Sequence, residues 1–112
     1  MNDEHHHTDS VKGDQLEELE TDDLYEAILL LKTPEEIQRF LKDLCTPQEL
    51  NAFNERWKVC KLLQHGTMSY RQISELTSTS LATIVRVARC LKDEPAQGYR
   101  IVLDRMPAQK KK

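Results

Sequence analysis

Side chains that carry out chemistry in enzymes and metal sites are few in this sequence and lie far apart. Cys45, Cys60 and Cys90 lack the CxxC spacing of zinc and redox sites. Three histidines at positions 5–7 could bind a metal ion, but no second ligand cluster accompanies them, which favours a polar tail or a tag remnant. His65 has no acid or cysteine arranged around it, and no phosphate-binding loop occurs. We therefore expect reduced, packed thiols and neither a metal site nor an enzyme.

Basic side chains are more informative because they are concentrated in one part of the chain. Residues 56–92 carry seven lysines and arginines and one acid, a net charge of +6, whereas residues 1–55 carry −11 and the whole chain carries −3. Such a split is typical of a protein that turns one face to a polyanion. A solvated basic surface without a partner explains the same charge, so charge alone leaves nucleic-acid binding open.

An all-α chain is predicted from signals that begin helices and from the apolar spacing that follows them. TPEE at 33–36 and TPQE at 46–49 each place threonine at an N-cap, proline at the first helical position and glutamate three residues after the cap. Ser69 with Gln72 forms a further capping box, and Gly66 suits a helix end. Apolar residues recur at helical spacing after each start. The six predicted helices are 21–32, one from Pro34, 47–65, 70–76, 80–92 and a weaker one from Pro95.

The segments outside these helices are predicted to be tails. Residues 1–20 are charged and nearly free of large apolar groups, so we expect a disordered acidic tail that contains the histidines. Residues 106–112 form a basic tail, which leaves one small domain at 21–105. No apolar run long enough to span a membrane and no secretion signal occurs, so we expect a cytoplasmic protein without a membrane partner. Since only 38% of the residues are apolar, we expect dimerisation to complete a thin core.

The stretch from Ser69 to Leu91 has the form of two short helices joined by the polar break TSTS. Small side chains at the start of the second helix would let it enter the major groove, where Ala82 and Thr83 can contact base edges or a thymine methyl. The predicted inward stripe of this helix is Leu81, Ile84, Ala88 and Leu91. Its predicted outward face is Ala82, Thr83, Arg86 and Arg89, with Val85 beside them.

The starts of these two helices also suit phosphate. Neither first turn carries Asp or Glu, in contrast to the acids at Glu36 and Glu49. Ser69 and Ser80 begin helices whose free amides favour anions, and Arg71 is placed to contact a base or a phosphate. The alternative is a plain helical hairpin with exposed polar residues.

The sequence from 45 to 92 resembles the core of the Trp repressor superfamily, and in particular its small YerC/YecD-type members. The motifs that carry this resemblance are MSYRQI, ATIVRVARCL and GYRIVLDR, and it extends over about residues 21–105. It implies a six-helix fold in which two chains intertwine as a homodimer and present helix-turn-helix units, at about residues 69–92, to double-stranded DNA. The implied function is a sequence-specific transcriptional regulator, most simply a repressor. A helical protein-interaction module that does not read DNA is the alternative. Candidate interface residues are Phe40, Leu50, Phe53 and Trp57, although burial within one subunit explains them equally well.

The resemblance also assigns DNA-facing positions. The implied residues are Tyr70, Arg71, Ser74, Leu81, Ala82, Thr83 and Val85, to which the helical spacing adds Arg86 and Arg89. The two lines of reasoning disagree on Leu81: the resemblance places it against DNA, whereas the helical spacing places it on the inward stripe. Relatives tend to carry glycine at the position of Ser78, so we expect either mild strain or another turn geometry there.

An effector pocket for tryptophan is a separate implication of the resemblance. Arg56 and Arg86 would sandwich the indole, and the carbonyl group of Thr46 would receive the amino group. Two positions depart from the family pattern, because Val87 stands where glycine makes room and Cys90 replaces a serine. We therefore expect no cofactor and no co-repression by tryptophan. Surface or phosphate-contacting roles for the two arginines are the alternative, and the sequence identifies no other effector.

Overall fold

The computed structural model describes residues 23–107, and helices account for most of them. The helices are α1 Asp23–Leu29, α2 Pro34–Leu44, α3 Pro47–His65, α4 Tyr70–Thr77, α5 Leu81–Lys92 and α6 Gly98–Arg105. Within residues 23–107 no β-strand occurs, which confirms the all-α class. The predicted N-terminal tail, the start of the first predicted helix and the last five residues of the predicted basic tail lie outside the described residues. No described helix is long and apolar enough to cross a membrane.

The predicted N-caps set the helix starts. At α3, Glu49 N donates to Thr46 Oγ1 at 3.1 Å and Thr46 N donates to Glu49 Oε1 at 2.9 Å, which completes the box. At α4, the same reciprocal pair joins Ser69 and Gln72. Each cap contributes about 1 kcal/mol by pairing amides that the helix itself leaves free.

The start of α2 differs in one detail from the predicted capping box. Glu36 N donates to Thr33 Oγ1 at 3.1 Å, as expected. The Glu36 carboxylate, however, accepts from Lys32 N at 2.8 Å, one residue before the cap. The Glu36 carboxylate therefore pairs with the backbone amide of Lys32 and not with that of the cap residue Thr33. The helix still begins at Pro34.

Two helix boundaries differ from the prediction. The first helix ends at Leu29, three residues early, and its last amides turn tightly, since Leu30 N donates to Ala27 O at 3.1 Å. The last helix begins at Gly98 and not at Pro95. Gln97, which precedes it, has φ 53°, and this left-handed conformation cannot continue a right-handed helix backwards.

The chain divides into two compact units, of which the first ends at Leu44 and the second begins at Cys45. The sequence did not indicate this division. In the first unit neither α1 nor α2 has a buried residue. Its exposed large apolar side chains are Leu24, Tyr25, Ile28, Leu29, Leu30, Ile37 and Leu44.

The second unit contains the core, and α5 lies at its centre, packed against α3, α4 and α6. The buried apolar cluster is Val59, Cys60, Ile73, Ile84, Val87 and Leu91. Three of these residues come from α5 at helical spacing, so one side of α5 is fixed against the core and the opposite side faces outward. All three cysteines are free, and burial raises the pKa of the Cys60 thiol to about 11.

Candidate nucleic-acid interface

The candidate interface is built on α4, α5 and the turn Ser78–Ser80 between them. Ser78 has φ 58° and ψ 32°, so it takes the left-handed conformation that glycine adopts without strain. Ser74 Oγ donates to Thr79 O at 2.7 Å, and the Thr79 side chain is buried. The mild strain expected at Ser78 is therefore present, and the hydrogen bond from α4 holds the turn in this geometry.

This turn uses one of the residues that the resemblance places against DNA. Ser74 is half-buried, and its hydroxyl proton is committed to Thr79 O. Only the lone pairs of its oxygen stay available for an outside donor. Thr77 is occupied similarly, because its Oγ1 donates to Ile73 O at 2.7 Å. The Ser74 bond ties the turn before α5 to α4, whereas the Thr77 bond stays within α4.

The first turn of α5 is capped and free of acids. Thr83 N donates to Ser80 Oγ at 3.1 Å, and Ser80 Oγ donates to Thr83 Oγ1 at 3.0 Å. No acidic side chain lies in the first turn of α4 or of α5. The partial positive charge at each helix start is therefore not neutralised by the helix's own side chains, which suits a phosphate oxygen.

The outward side of α5 shows most of the predicted DNA-facing residues. Ala82, Val85, Arg86 and Arg89 are exposed, and Thr83 is half-buried. Leu81 is 51% exposed, so its placement on the inward stripe was wrong. The observed stripe begins one turn later at Ile84, because Leu81 is the first residue of the helix and the core does not extend to it.

Predicted positions on and beside α4 are also accessible. Tyr70 and Arg71, in its first turn, are exposed.

At the other end of the surface Arg89 Nε lies 3.8 Å from Glu94 Oε2, with both side chains about half exposed. A pair this exposed contributes little to stability, so Arg89 can exchange Glu94 for another anion at small cost.

The residues implied for a tryptophan pocket lie on α3 and α5, with Thr46 at the N-cap of α3. The Thr46 carbonyl accepts from Leu50 N at 3.0 Å in the first turn of α3. The Arg56 guanidinium lies over the Phe53 ring, 5.3 Å from its centroid. Val87 is 1% exposed and belongs to the core, whereas Cys90 is half-buried. Val87 was missing from the predicted inward stripe, although its spacing from Ile84 and Leu91 fits that stripe.

Tyr99 of α6 is a residue at this place that sequence reasoning missed. Burial raises the pKa of its hydroxyl above 10.0, the nearby Cys60 and Cys90 thiols raise it further, and the Arg56 and Arg86 guanidinium groups oppose the rise. The aromatic residue near the start of GYRIVLDR was the available signal. Nothing local in the sequence indicates that it meets side chains from α3 and α5.

Among the described residues no group of His, Cys, Asp and Glu is placed to hold a metal ion.

Comparison with known proteins gives a family model and one relative that cover most of the chain, and a second relative that covers about half of it. The family model of the Trp repressor protein matches residues 19–107. The uncharacterized protein YerC of Bacillus subtilis is 41% identical over 93 residues, which is 83% of this chain and 88% of YerC. A Trp operon repressor homolog of Aliivibrio salmonicida is 42% identical over 55 residues, 49% of this chain and 51% of that protein.

Solved structures agree with the fold. The crystal structure of a TrpR-like protein from Eubacterium eligens has a TM-score of 0.69 at 37% identity and covers 80% of this chain and 93% of its own. A candidate Trp repressor from Staphylococcus aureus has a TM-score of 0.70 at 38% identity, with 82% of this chain and 93% of that chain covered. Together with the match over residues 19–107, these relatives show that the chain belongs to the Trp repressor family.

Proposed function

We propose that this chain is a sequence-specific regulator of transcription that binds double-stranded DNA as a homodimer and acts as a repressor. The observation that carries the proposal is the two-sided character of α5. One side is fixed in the core through Ile84, Val87 and Leu91, and the other exposes Ala82 and Arg86 beside an acid-free, capped helix start. A helix held in this way presents a rigid surface of small and basic side chains, as reading in the major groove requires.

The charge around this surface supports the same proposal. Residues 56–92 carry +6 in a chain of net charge −3, and the exposed arginines of α4 and α5 fall within that segment. Arginines that contact phosphate release counterions from the duplex, so the affinity falls steeply as salt is raised. Arg71, Arg86 and Arg89 are the residues we assign to backbone or base contact, and Ala82 and Thr83 are assigned to base edges.

The homodimer is supported by apolar surface in the first unit and on α3. Helices α1 and α2 bury no residue, and Phe53 on α3 is 44% exposed. Exposed apolar helix faces are normally covered in a stable protein. A second copy of the chain is the partner that also supplies a second reading helix, which matches the two half-sites of a palindromic operator.

The experiment is a binding titration with a duplex enriched from a random DNA pool, with affinity measured by fluorescence anisotropy at several salt concentrations. Arg71→Ala and Thr83→Ala should reduce the preference for the enriched duplex over a scrambled one. Arg39→Ala, which removes the same charge from exposed α2, is the matched control and should leave that preference unchanged. An affinity for DNA that does not depend on salt would contradict the proposal. So would an equal loss of preference for the enriched duplex in Arg39→Ala and Arg71→Ala.

A protein-interaction module that does not read DNA is the second candidate. It is favoured by one observation, the exposed apolar residues of α1 and α2 in an acidic part of the chain. It predicts no affinity for any duplex and a stable complex with a basic protein. The same titration distinguishes the two, because the module would show no anisotropy change at low salt.

A further inference from the structure

Arg89 lies on the outward side of α5, at the far end of the surface that begins at Ala82. Arg86 and Arg89 follow Ala82 by four and seven residues, so the three side chains share one side of the helix. The rise of an α-helix places Arg89 about 10 Å along the axis from Ala82. Because the major groove is roughly 8.5 Å deep, a helix that enters it with its first turn leaves Arg89 at the rim, beside the phosphates.

The Glu94 carboxylate is held beside Arg89 by the way the chain leaves α5. Glu94 N donates to Arg89 O at 3.2 Å, and Glu94 O accepts from Gln97 Nε2 at 2.7 Å. The backbone of Glu94 is therefore fixed on both sides. This placement keeps the carboxylate within reach of the guanidinium, with Glu94 Oε2 3.8 Å from Arg89 Nε.

The contact between Arg89 and Glu94 is an ion pair that a phosphate can replace. A separation of 3.8 Å is longer than a hydrogen bond, so the donors of the guanidinium are not committed to the carboxylate. Both side chains are about half exposed, which leaves the guanidinium open to an anion from solution. A phosphate group can accept two hydrogen bonds from the same guanidinium. The carboxylate and a phosphate would then repel each other at one arginine.

Asp93 and Glu94 are acids at a helix end that does not favour them. The C-terminal end of a helix carries partial negative charge and favours bases, and Arg89 and Lys92 do lie in the last turn of α5. The two carboxylates follow directly on the basic segment 56–92. Among the described residues only the Glu94 carboxylate is paired with a base of α5, whereas Asp93 forms no ion pair. The helix end itself therefore gives no reason for a carboxylate at Glu94.

We propose that the Glu94 carboxylate competes with DNA phosphate for Arg89 and so lowers the part of the affinity that does not depend on sequence. The inference rests on the proposed function, since it requires α5 to bind DNA. When a duplex binds, the carboxylate must leave Arg89 or stay beside a phosphate of the same charge, and either outcome costs free energy. Removal of this carboxylate therefore strengthens binding to every duplex alike.

The test is a set of anisotropy titrations of the full chain with the enriched duplex and with a scrambled one. Glu94→Gln keeps the shape of the side chain and removes its charge, so it should raise the affinity for both duplexes about three-fold at low salt. Asp93→Asn is the matched control, because it removes the same charge from an exposed neighbour, and it should raise the affinity less. In an Arg89→Ala background, Glu94→Gln should have no greater effect than Asp93→Asn. The gain should shrink as salt is raised, since salt screens exposed charges.

Two results would overturn the competition. One is an equal gain in affinity from Glu94→Gln and Asp93→Asn, which would show that only the net charge matters. The other is a gain from Glu94→Gln that is undiminished in the Arg89→Ala background. Surface substitutions of this kind change stability little, so the variants can be compared as folded proteins.

The same titrations separate this inference from the proposed function. Equal affinity for the enriched and scrambled duplexes, with the gain from Glu94→Gln intact, would contradict only sequence-specific reading. A clear preference for the enriched duplex, with equal gains from Glu94→Gln and Asp93→Asn, would contradict only the competition. The absence of binding to any duplex at low salt would overturn both.

Discussion

We expect the buried Cys60 thiol to make the stability of the protein depend on pH above about 9. It is fully buried, and burial raises its pKa from 9.0 to about 11. A group whose pKa is higher in the folded state contributes fully below its unfolded pKa and loses that contribution as pH rises through the folded pKa. A difference of about two pKa units corresponds to roughly 2.7 kcal/mol. We therefore expect the free energy of unfolding to fall between pH 9 and pH 11 by up to that amount.

The assay is urea denaturation at pH 8, 9, 10 and 11, at one protein concentration because a dimer's stability depends on it. Tyr99 and other groups titrate in the same range, so the informative quantity is the difference from Cys60→Ala. That variant should be less stable at pH 8, because it leaves a small cavity, and should lose less stability between pH 9 and 11. If the free energy of unfolding fell by the same amount with pH in the wild-type protein and in Cys60→Ala, the reasoning would be refuted. That result would show that ionisation of the Cys60 thiol does not destabilise the folded state.

Three further predictions concern local structure, each measured by urea denaturation. Thr46→Ala should cost about 1 kcal/mol by removing the α3 cap, whereas Thr46→Ser, which keeps the oxygen, should cost far less. At Gly66, which has φ 81°, an added Cβ would meet the Gln64 carbonyl oxygen at an ordinary contact distance of 3.9 Å, so alanine should cost about 1 kcal/mol through backbone strain alone. Ile84→Ala should cost about 3 kcal/mol or more because the side chain is fully buried; a loss below 1 kcal/mol would contradict the central position of α5.

The helix starts could be predicted from sequence because capping is local. The caps Thr33, Thr46 and Ser69 lie where the sequence placed them, since each needs only a hydroxyl and the amide three residues later. Ser80, predicted as the first residue of its helix, is the N-cap of α5, which begins at Leu81. The start of α6 could not be predicted in the same way. Its boundary depends on the left-handed conformation of Gln97, and glutamine does not signal that conformation.

Burial and tertiary neighbours were less accessible to sequence reasoning. Leu81 fits the helical spacing of the inward stripe, yet it is exposed because the core ends before the first turn of α5. Tyr99 lies about 40 residues from Trp57 along the chain, and their stacking follows only from the packing of α6 on α3. The DNA-facing residues stay a prediction, and the structure adds that most of them are accessible while Ser74 serves the turn.

The most direct test of DNA reading by a homodimer is selection of binding sites from random duplex DNA with the purified full chain. We predict enrichment of an inverted repeat whose half-sites lie about one helical turn, roughly 10 base pairs, apart. Omission of L-tryptophan should leave the enriched sequence unchanged. Recovery of no common sequence after repeated rounds at low salt would contradict the account.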